Sequence, residues 1–294
     1  MEIYIRKYIA SVGERIMYAE ELLSTLMQKK IVGQLPKLIT DIAIDSRSVQ
    51  PNSVFICIKG FTVDGHDYAQ KAVDAGATII VTERLLELEG DVAQVIVKNT
   101  TRTLGILAAK FFDYPSKDIM MIGVTGTNGK TSVSGIIHNI LIGLGEKSAL
   151  SGTIGFNLNG VLYESANTTS DSLNTQQMIF RAKSEGCRAM VMEVSSHGLA
   201  LGRLAGVDYD VAVFTNLTHD HLDFHGTMEN YGNTKGLLFS QLGQDLEKNK
   251  HVVLNADDPW SERYAQITPF PIWTYGLKNN AGFRAVNCHY ENGM

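Results

Sequence analysis

The segment Gly123-Val124-Thr125-Gly126-Thr127-Asn128-Gly129-Lys130-Thr131-Ser132 has the residue types that hold a nucleotide triphosphate. Glycines let backbone N–H groups turn toward a phosphate. A helix that starts where such a loop ends adds its favourable N-terminal dipole. Gly126, Thr127, Asn128, Gly129 and Ser132 would line the phosphates, Lys130 would reach the terminal ones, and Thr131 would offer its hydroxyl to Mg²⁺. The flanks suit this reading. Ile119-Met120-Met121-Ile122 is an apolar strand, and Val133, Ile136, Ile137, Ile140, Leu141 and Leu144 recur at helical spacing. The match to a Walker A motif is incomplete, because that motif has glycine where Val124 stands. A glycine-rich turn and a generic nucleoside triphosphatase are the competing readings. GxGxxG is absent, which disfavours a dehydrogenase.

Two further clusters follow strands. Ala189-Met190-Val191-Met192-Glu193 is apolar until its last residue, and Ser195, Ser196 and His197 come next. A charge at the end of a buried strand is costly unless paired or bound to metal. Glu193 is therefore a candidate Mg²⁺ ligand, with a capping or salt-bridged carboxylate as the alternative. After Val211-Ala212-Val213-Phe214, the histidines His219, His221 and His225 fall within seven residues. His219, His221 and Asp223 start the HxHxDH signature of a dinuclear zinc hydrolase. Phe224 then displaces the last histidine by one position, and a slip of that size takes a ligand out of register. Lys235, taken alone, reads as a solvated lysine near the start of a helix.

The elements that must position these groups alternate between strand and helix. Residues 1 to about 33 read as helical, with Leu22, Leu23 and Leu26 on one face. Strands are expected at Val54–Ile58, Thr78–Val81 and Val95–Val97, and helices at Tyr68–Ala75 and Thr103–Phe112. Asp113-Tyr114-Pro115-Ser116 is the expected boundary between domains over 34–115 and 116–294. Beyond it, strands are expected at 119–124, 189–194, 211–215, 251–255 and 272–275, and helices at 132–144, 174–186 and 229–243. Phe283–Val286 and Cys288-His289-Tyr290 read as late strands. The fold class is α/β, with a mostly parallel sheet covered by helices on both faces. Such sheets bind ligands beyond the carboxyl ends of their strands, where the polar clusters lie.

The 294 residues, 44% apolar and 19% charged, suit two globular domains. A net charge of -5 argues against a general nucleic-acid or membrane-surface binder. Cys57, Cys187 and Cys288 include no CxxC pair, which fits a reducing cytoplasm. The first residues lack the continuous apolar core of a signal peptide, and no run of 18 apolar residues offers a membrane span.

Taken in order, the clusters resemble the Mur ligases, in their MurE form of UDP-N-acetylmuramoyl-tripeptide synthetases. The resembling pieces are Gly126 to Ser132, Asn167-Thr168-Thr169, Glu193 to Leu199, Asn216 to Gly226, Tyr231 to Phe239 and Asn255-Ala256-Asp257-Asp258. Asp45-Ser46-Arg47, Lys59-Gly60 and Asp64-Gly65-His66 match earlier in the chain. The resemblance runs from about residue 17 to 294. It implies ATP-dependent amide formation in the cytoplasm between UDP-N-acetylmuramoyl-L-alanyl-D-glutamate and a diamino acid, L-lysine or meso-diaminopimelate. It further implies a small N-terminal UDP-binding domain and a central ATPase domain. Ser46 would contact the UDP part, bordered by the Phe61-Thr62-Val63 loop. Asn167, Thr168, Thr169, Ser195 and Arg203 would contact substrate. Glu193 and His221 would hold Mg²⁺. Lys235 would be carboxylated to N6-carboxylysine, an anion able to hold a second Mg²⁺.

The sequence departs from the family at Ser170, where proline usually follows the paired threonines. The family also has a third, amino-acid-binding domain, for which no sequence precedes Met294. Residues 1–294 by themselves are therefore expected to release no ADP in response to an amino acid. Residues 1–16 precede the resemblance and are expected to be an over-extended start. A folylpolyglutamate synthase-like ligase leaves the Asp45-Ser46-Arg47 region unexplained. A non-catalytic nucleotide- or UDP-sugar-binding module is the third reading.

Overall fold

The computed structural model describes residues 15–60, 63–164, 167–242 and 248–289. Of the expected over-extended start at residues 1–16, residues 1–14 lie outside the described residues, as do Phe61 and Thr62 of the loop and Tyr290. The chain forms two compact units. One takes the chain to Pro115 together with Asp171–Arg181 and Leu201–Val207, and the other takes the remainder.

The first unit is built on a five-stranded sheet, in the order Lys30–Val32, Ala93–Ile96, Ala77–Thr82, Ser53–Ile56, Asp41–Ala43. The last four strands are parallel, and Lys30–Val32 joins their edge antiparallel. Both faces are buried, as continuous apolar runs require. Val54, Ile56, Ile79 and Val81 pack in one cluster with Leu104 and Leu107 of the helix Thr100–Phe111. Phe55, Cys57 and Ile80 point the other way, onto Ala69 and Ala72 of the helix Ala69–Asp74.

The expectation of one helix over residues 1 to about 33 is corrected here. Among the described residues the helix covers only Ala19–Leu23, between the strands Met17–Tyr18 and Lys30–Val32. Its carbonyls are capped early, since Ser24 Oγ donates to Glu21 O and Thr25 Oγ1 to Leu22 O. Leu22, Leu23 and Leu26 are buried together, and strand pairing claims Lys30–Val32.

The second unit carries a nine-stranded sheet. Its centre is parallel, in the order Ser148–Gly152, Ala189–Glu193, Met120–Thr125, Val211–Phe214, His251–Asn255, Ile272–Gly276, Phe283–Arg284. Gly155–Leu158 and Val161–Tyr163 extend one edge antiparallel, a meander the sequence reading did not anticipate. At the other edge the strand ends at Arg284; Cys288 and His289 are not in a strand.

The helix Lys130–Gly143 covers the sheet through Val133, Ile137 and Leu141, which pack on Ile122, Val124, Val191 and Val213. Ile136, Ile140 and Leu144 recur at the same spacing but face outward, at 58%, 56% and 74% exposure. The apolar periodicity of this helix therefore overstates its buried face. Parallel registry sets Glu193 beside Val124 and Phe214 beside Thr125. The loops after the Met120–Thr125, Ala189–Glu193 and Val211–Phe214 strands thus emerge together at the carboxyl edge.

Candidate active site

Gly126 follows the central strand with φ +151°, and a Cβ there would lie 1.8 Å from Thr215 Oγ1. Only glycine fits, because the neighbouring strand's loop crosses directly over it. Gly129, at φ +83°, ends the loop and caps the helix Lys130–Gly143. The loop is held from one side by the segment after Phe214. Thr127 N donates to Asn216 O at 2.8 Å, Asn128 N to Asn216 Oδ1 at 3.0 Å, and Thr215 Oγ1 to Asn128 O at 2.7 Å. Asn255 Nδ2 in turn donates to Thr215 O at 2.7 Å.

Lys130 Nζ folds onto its own loop, donating to Gly126 O at 3.0 Å and Thr127 O at 2.9 Å. Burial holds its pKa below the usual lysine range, opposed by Glu193 and Asp220. Thr131 Oγ1, in the first helical turn, donates to Glu193 Oε2 at 2.9 Å. Ser132 is exposed beside it.

Glu193 is 2% exposed at the end of its strand. Its Oε1 accepts from Thr153 N at 2.9 Å, and its Oε2 accepts from Thr153 Oγ1 at 3.1 Å as well as from Thr131. The chain around it is pinned by Thr169, whose Oγ1 donates to Glu193 O at 3.0 Å and accepts from Ser195 N at 3.0 Å. Ser195 Oγ accepts from Gly198 N at 3.0 Å. Asn167 and Thr168 lead into this turn, and Thr168 Oγ1 lies 3.1 Å from Thr153 Oγ1.

Lys235, read alone as solvated, is 1% exposed, and this corrects that expectation. Helix Met228–Ser240 turns it inward, where Nζ donates to Gly126 O at 2.8 Å and sits 4.6 Å from the Tyr231 ring centroid. Burial first, and the Lys130 charge second, lower its pKa to about 7. Tyr231 also reaches the phosphate loop, with its hydroxyl 3.2 Å from Thr127 Oγ1. The His221 ring is edge-on to His197 at 5.0 Å and lies 6.1 Å from Tyr231. His221 has φ +52° and is half-exposed, 3.5 Å from Asp220. His225 is buried, with Nε2 3.0 Å from Ser196 Oγ, and burial lowers its pKa.

The second unit thus gathers Gly126 to Ser132, Thr168, Thr169, Glu193, Ser195, His221 and Lys235 at one edge of its sheet. Ser46, buried in the turn Ser46–Ser48, and Arg203 belong to the first unit. Among the described residues no three His, Cys, Asp or Glu side chains group as a metal site. The Thr131 hydroxyl and the Glu193 carboxylate still form a paired set of oxygen donors, which suits Mg²⁺ shared with phosphate oxygens. Sequence reasoning missed Thr153, Tyr231 and Thr215 as site residues. Asn216 and Tyr231 lie in segments that carried the resemblance, whereas Thr153 had no signal beyond Gly152 and Gly155 around it.

Comparison with known proteins identifies the family. The Mur ligase middle domain matches residues 124–294, and the Mur ligase family catalytic domain matches residues 38–112. The chain belongs to the Mur ligase family. It is 51% identical over 271 residues to the UDP-N-acetylmuramoyl-L-alanyl-D-glutamate--L-lysine ligase of Staphylococcus haemolyticus, a match covering 92% of this chain and 55% of that protein. The same ligase from Staphylococcus epidermidis is 49% identical, with the same coverage. The chain thus spans about half the length of the curated relatives it matches. Among solved structures, a UDP-N-acetylmuramoyl-L-alanyl-D-glutamate--2,6-diaminopimelate ligase superposes with a TM-score of 0.75 at 28% identity, covering 91% of this chain and 54% of that one.

Proposed function

We propose that this Mur ligase chain serves ATP-dependent addition of L-lysine to UDP-N-acetylmuramoyl-L-alanyl-D-glutamate, a step of peptidoglycan precursor synthesis in the cytoplasm. The observation that carries the reading is the convergence of Thr131 on Glu193 and of Lys130 and Lys235 on Gly126. Lysine rather than diaminopimelate is favoured because relatives at 51% and 49% identity are lysine ligases, against 28% for the diaminopimelate ligase. Among the described residues no helix is long and apolar enough to cross a membrane.

The reaction joins two anions before it makes an amide. The terminal phosphoryl group of ATP passes to the D-glutamyl carboxylate, and ADP leaves. The amine then attacks the acyl phosphate, loses a proton and expels phosphate. Gly126 to Ser132 bind the triphosphate, and Lys130 swings from its own loop carbonyls to the terminal phosphates. Thr131 and Glu193 would hold Mg²⁺, with His221 and a carboxylated Lys235 as further donors. A bound Mg²⁺ supplies neutralisation of phosphate charge. Lys235 first gives up its ammonium proton; the free amine then adds to CO₂ and releases a second proton, so that a buried cation becomes an anionic oxygen donor. Its lowered pKa supports that step, since the amine must be neutral to attack. Ser46, Asn167, Thr168, Thr169, Ser195 and Arg203 bind the UDP-dipeptide.

The test is calorimetric titration of the chain with a non-hydrolysable ATP analogue and Mg²⁺, followed by UDP-N-acetylmuramoyl-L-alanyl-D-glutamate or a dihydrofolate. Binding of the UDP-dipeptide and not the folate is the expected result. Binding of the folate alone, or of neither, would sink the proposal.

A further inference from the structure

Thr153 stands in the turn between the strands Ser148–Gly152 and Gly155–Leu158. Its backbone N–H and its hydroxyl both meet the Glu193 carboxylate, at 2.9 and 3.1 Å. The same hydroxyl lies 3.1 Å from Thr168 Oγ1. Glu193 Oε2 also accepts from Thr131, in the first turn after the phosphate loop. A continuous chain therefore runs from Thr131 through Glu193 and Thr153 to Thr168. The approach is tight: a Cβ on Gly152 would lie 2.0 Å from Glu193 Oε1.

Proton counting gives the chain a direction. A carboxylate offers acceptors only, and a hydroxyl has one proton and two lone pairs. The single proton of Thr153 goes to Glu193 Oε2, so the Thr153–Thr168 contact is donated by Thr168. Thr168 then has its proton turned inward and both of its lone pairs left to accept. A ligand group that meets it must be a donor, such as a peptide N–H, and not a carboxylate oxygen.

We infer that Thr153 is a positioning residue that links the nucleotide side of the site to the substrate side, orienting Thr168 as an acceptor for an amide N–H of the UDP-dipeptide. This rests on the ligase reading above, in which Glu193 faces the Mg²⁺-nucleotide and Thr168 the substrate. A nucleotide that fixes Glu193 also fixes Thr153 and Thr168, so the two ligands bind with positive coupling. Coupling of this kind is about five- to tenfold in affinity.

The experiment measures the Kd of UDP-N-acetylmuramoyl-L-alanyl-D-glutamate with and without a non-hydrolysable ATP analogue and Mg²⁺, in the chain and its Thr153→Val and Thr153→Ser variants. The expected result is a tightening of about five- to tenfold in the unmodified chain and in Thr153→Ser, falling to less than about twofold in Thr153→Val. The nucleotide Kd of Thr153→Val, measured alone, reports whether the site is still folded. Retention of the full tightening in Thr153→Val overturns the inference, as does independent binding of both ligands by the unmodified chain. Failure of the unmodified chain to bind either ligand overturns the ligase reading and the inference with it. If Thr153→Val loses nucleotide binding as well, Thr153→Ser decides: a tightening lost there too, with its nucleotide Kd unchanged, overturns the inference.

Discussion

Lys130 and Lys235 donate to one carbonyl oxygen, that of Gly126, at 3.0 and 2.8 Å. Two ammonium groups on one buried acceptor repel each other, and the deeper one yields. Lys235 is brought to about 7, by burial and then by Lys130.

That pairing makes stability depend on pH. The unfolded Lys235 titrates near 10.5 and the folded one near 7, so between these values the unfolded chain binds the extra proton. The destabilisation is therefore full below pH 7 and fades as pH rises toward 10.5. Lys235→Met is expected to stabilise the chain in CO₂-depleted buffer, more at pH 6.5 than at pH 9.5. Urea denaturation at the two pH values checks this, and an equal gain at both would refute it.

Two glycines of the phosphate loop should respond differently to a methyl group. Gly126→Ala places a Cβ 1.8 Å from Thr215 Oγ1 and should abolish binding of ADP. Gly129 has nothing within 4 Å, so Gly129→Ala meets only the strain of φ +83°, about 1–2 kcal/mol. Thermal unfolding and ADP titration of both variants separate the two effects.

Glu193→Gln keeps the size of the side chain and removes its charge. The Mg²⁺-dependent part of nucleotide affinity should fall by about tenfold or more, as metal sites do when a ligand set is disturbed. Nucleotide affinity in the presence of a chelator should change little. Equal losses with and without Mg²⁺ would show that Glu193 acts only on the fold.

Thr127 Oγ1 donates to Thr218 O and accepts from Thr218 N, so the Tyr231 hydroxyl must be the donor in its 3.2 Å contact with Thr127. Tyr231→Phe should cost about 1 kcal/mol, and Thr127→Val about 1–3 kcal/mol, because Thr218 N–H and the phenol lose their partner. Chemical denaturation of both single variants and the double should show costs that do not add. Additive costs would mean that the contact contributes nothing.

The phosphate loop was legible because its signal is local. Glycines, Lys130 and Thr131 lie within a few residues, between an apolar strand and an apolar-periodic helix. Glu193 was legible for a similar reason, as a charge that ends an apolar strand. The α/β class followed from the alternation of such segments, and the ordered clusters carried the family.

Tertiary structure alone decided the rest, because each remaining feature depends on residues distant in sequence. Periodicity assigns Ile136 and Ile137 to the same helix, but only the position of the sheet buries one and exposes the other. Leu22 and Ile31 read as one helix until strand pairing takes Ile31 opposite Val95. Lys235 looks like any surface lysine until its helix turns it onto Gly126, 109 residues earlier. Thr153 acquires meaning only because its turn folds back on Glu193, 40 residues on. Local chemistry is written in composition and spacing; the meeting of charges across the sheet is set by strand order and register.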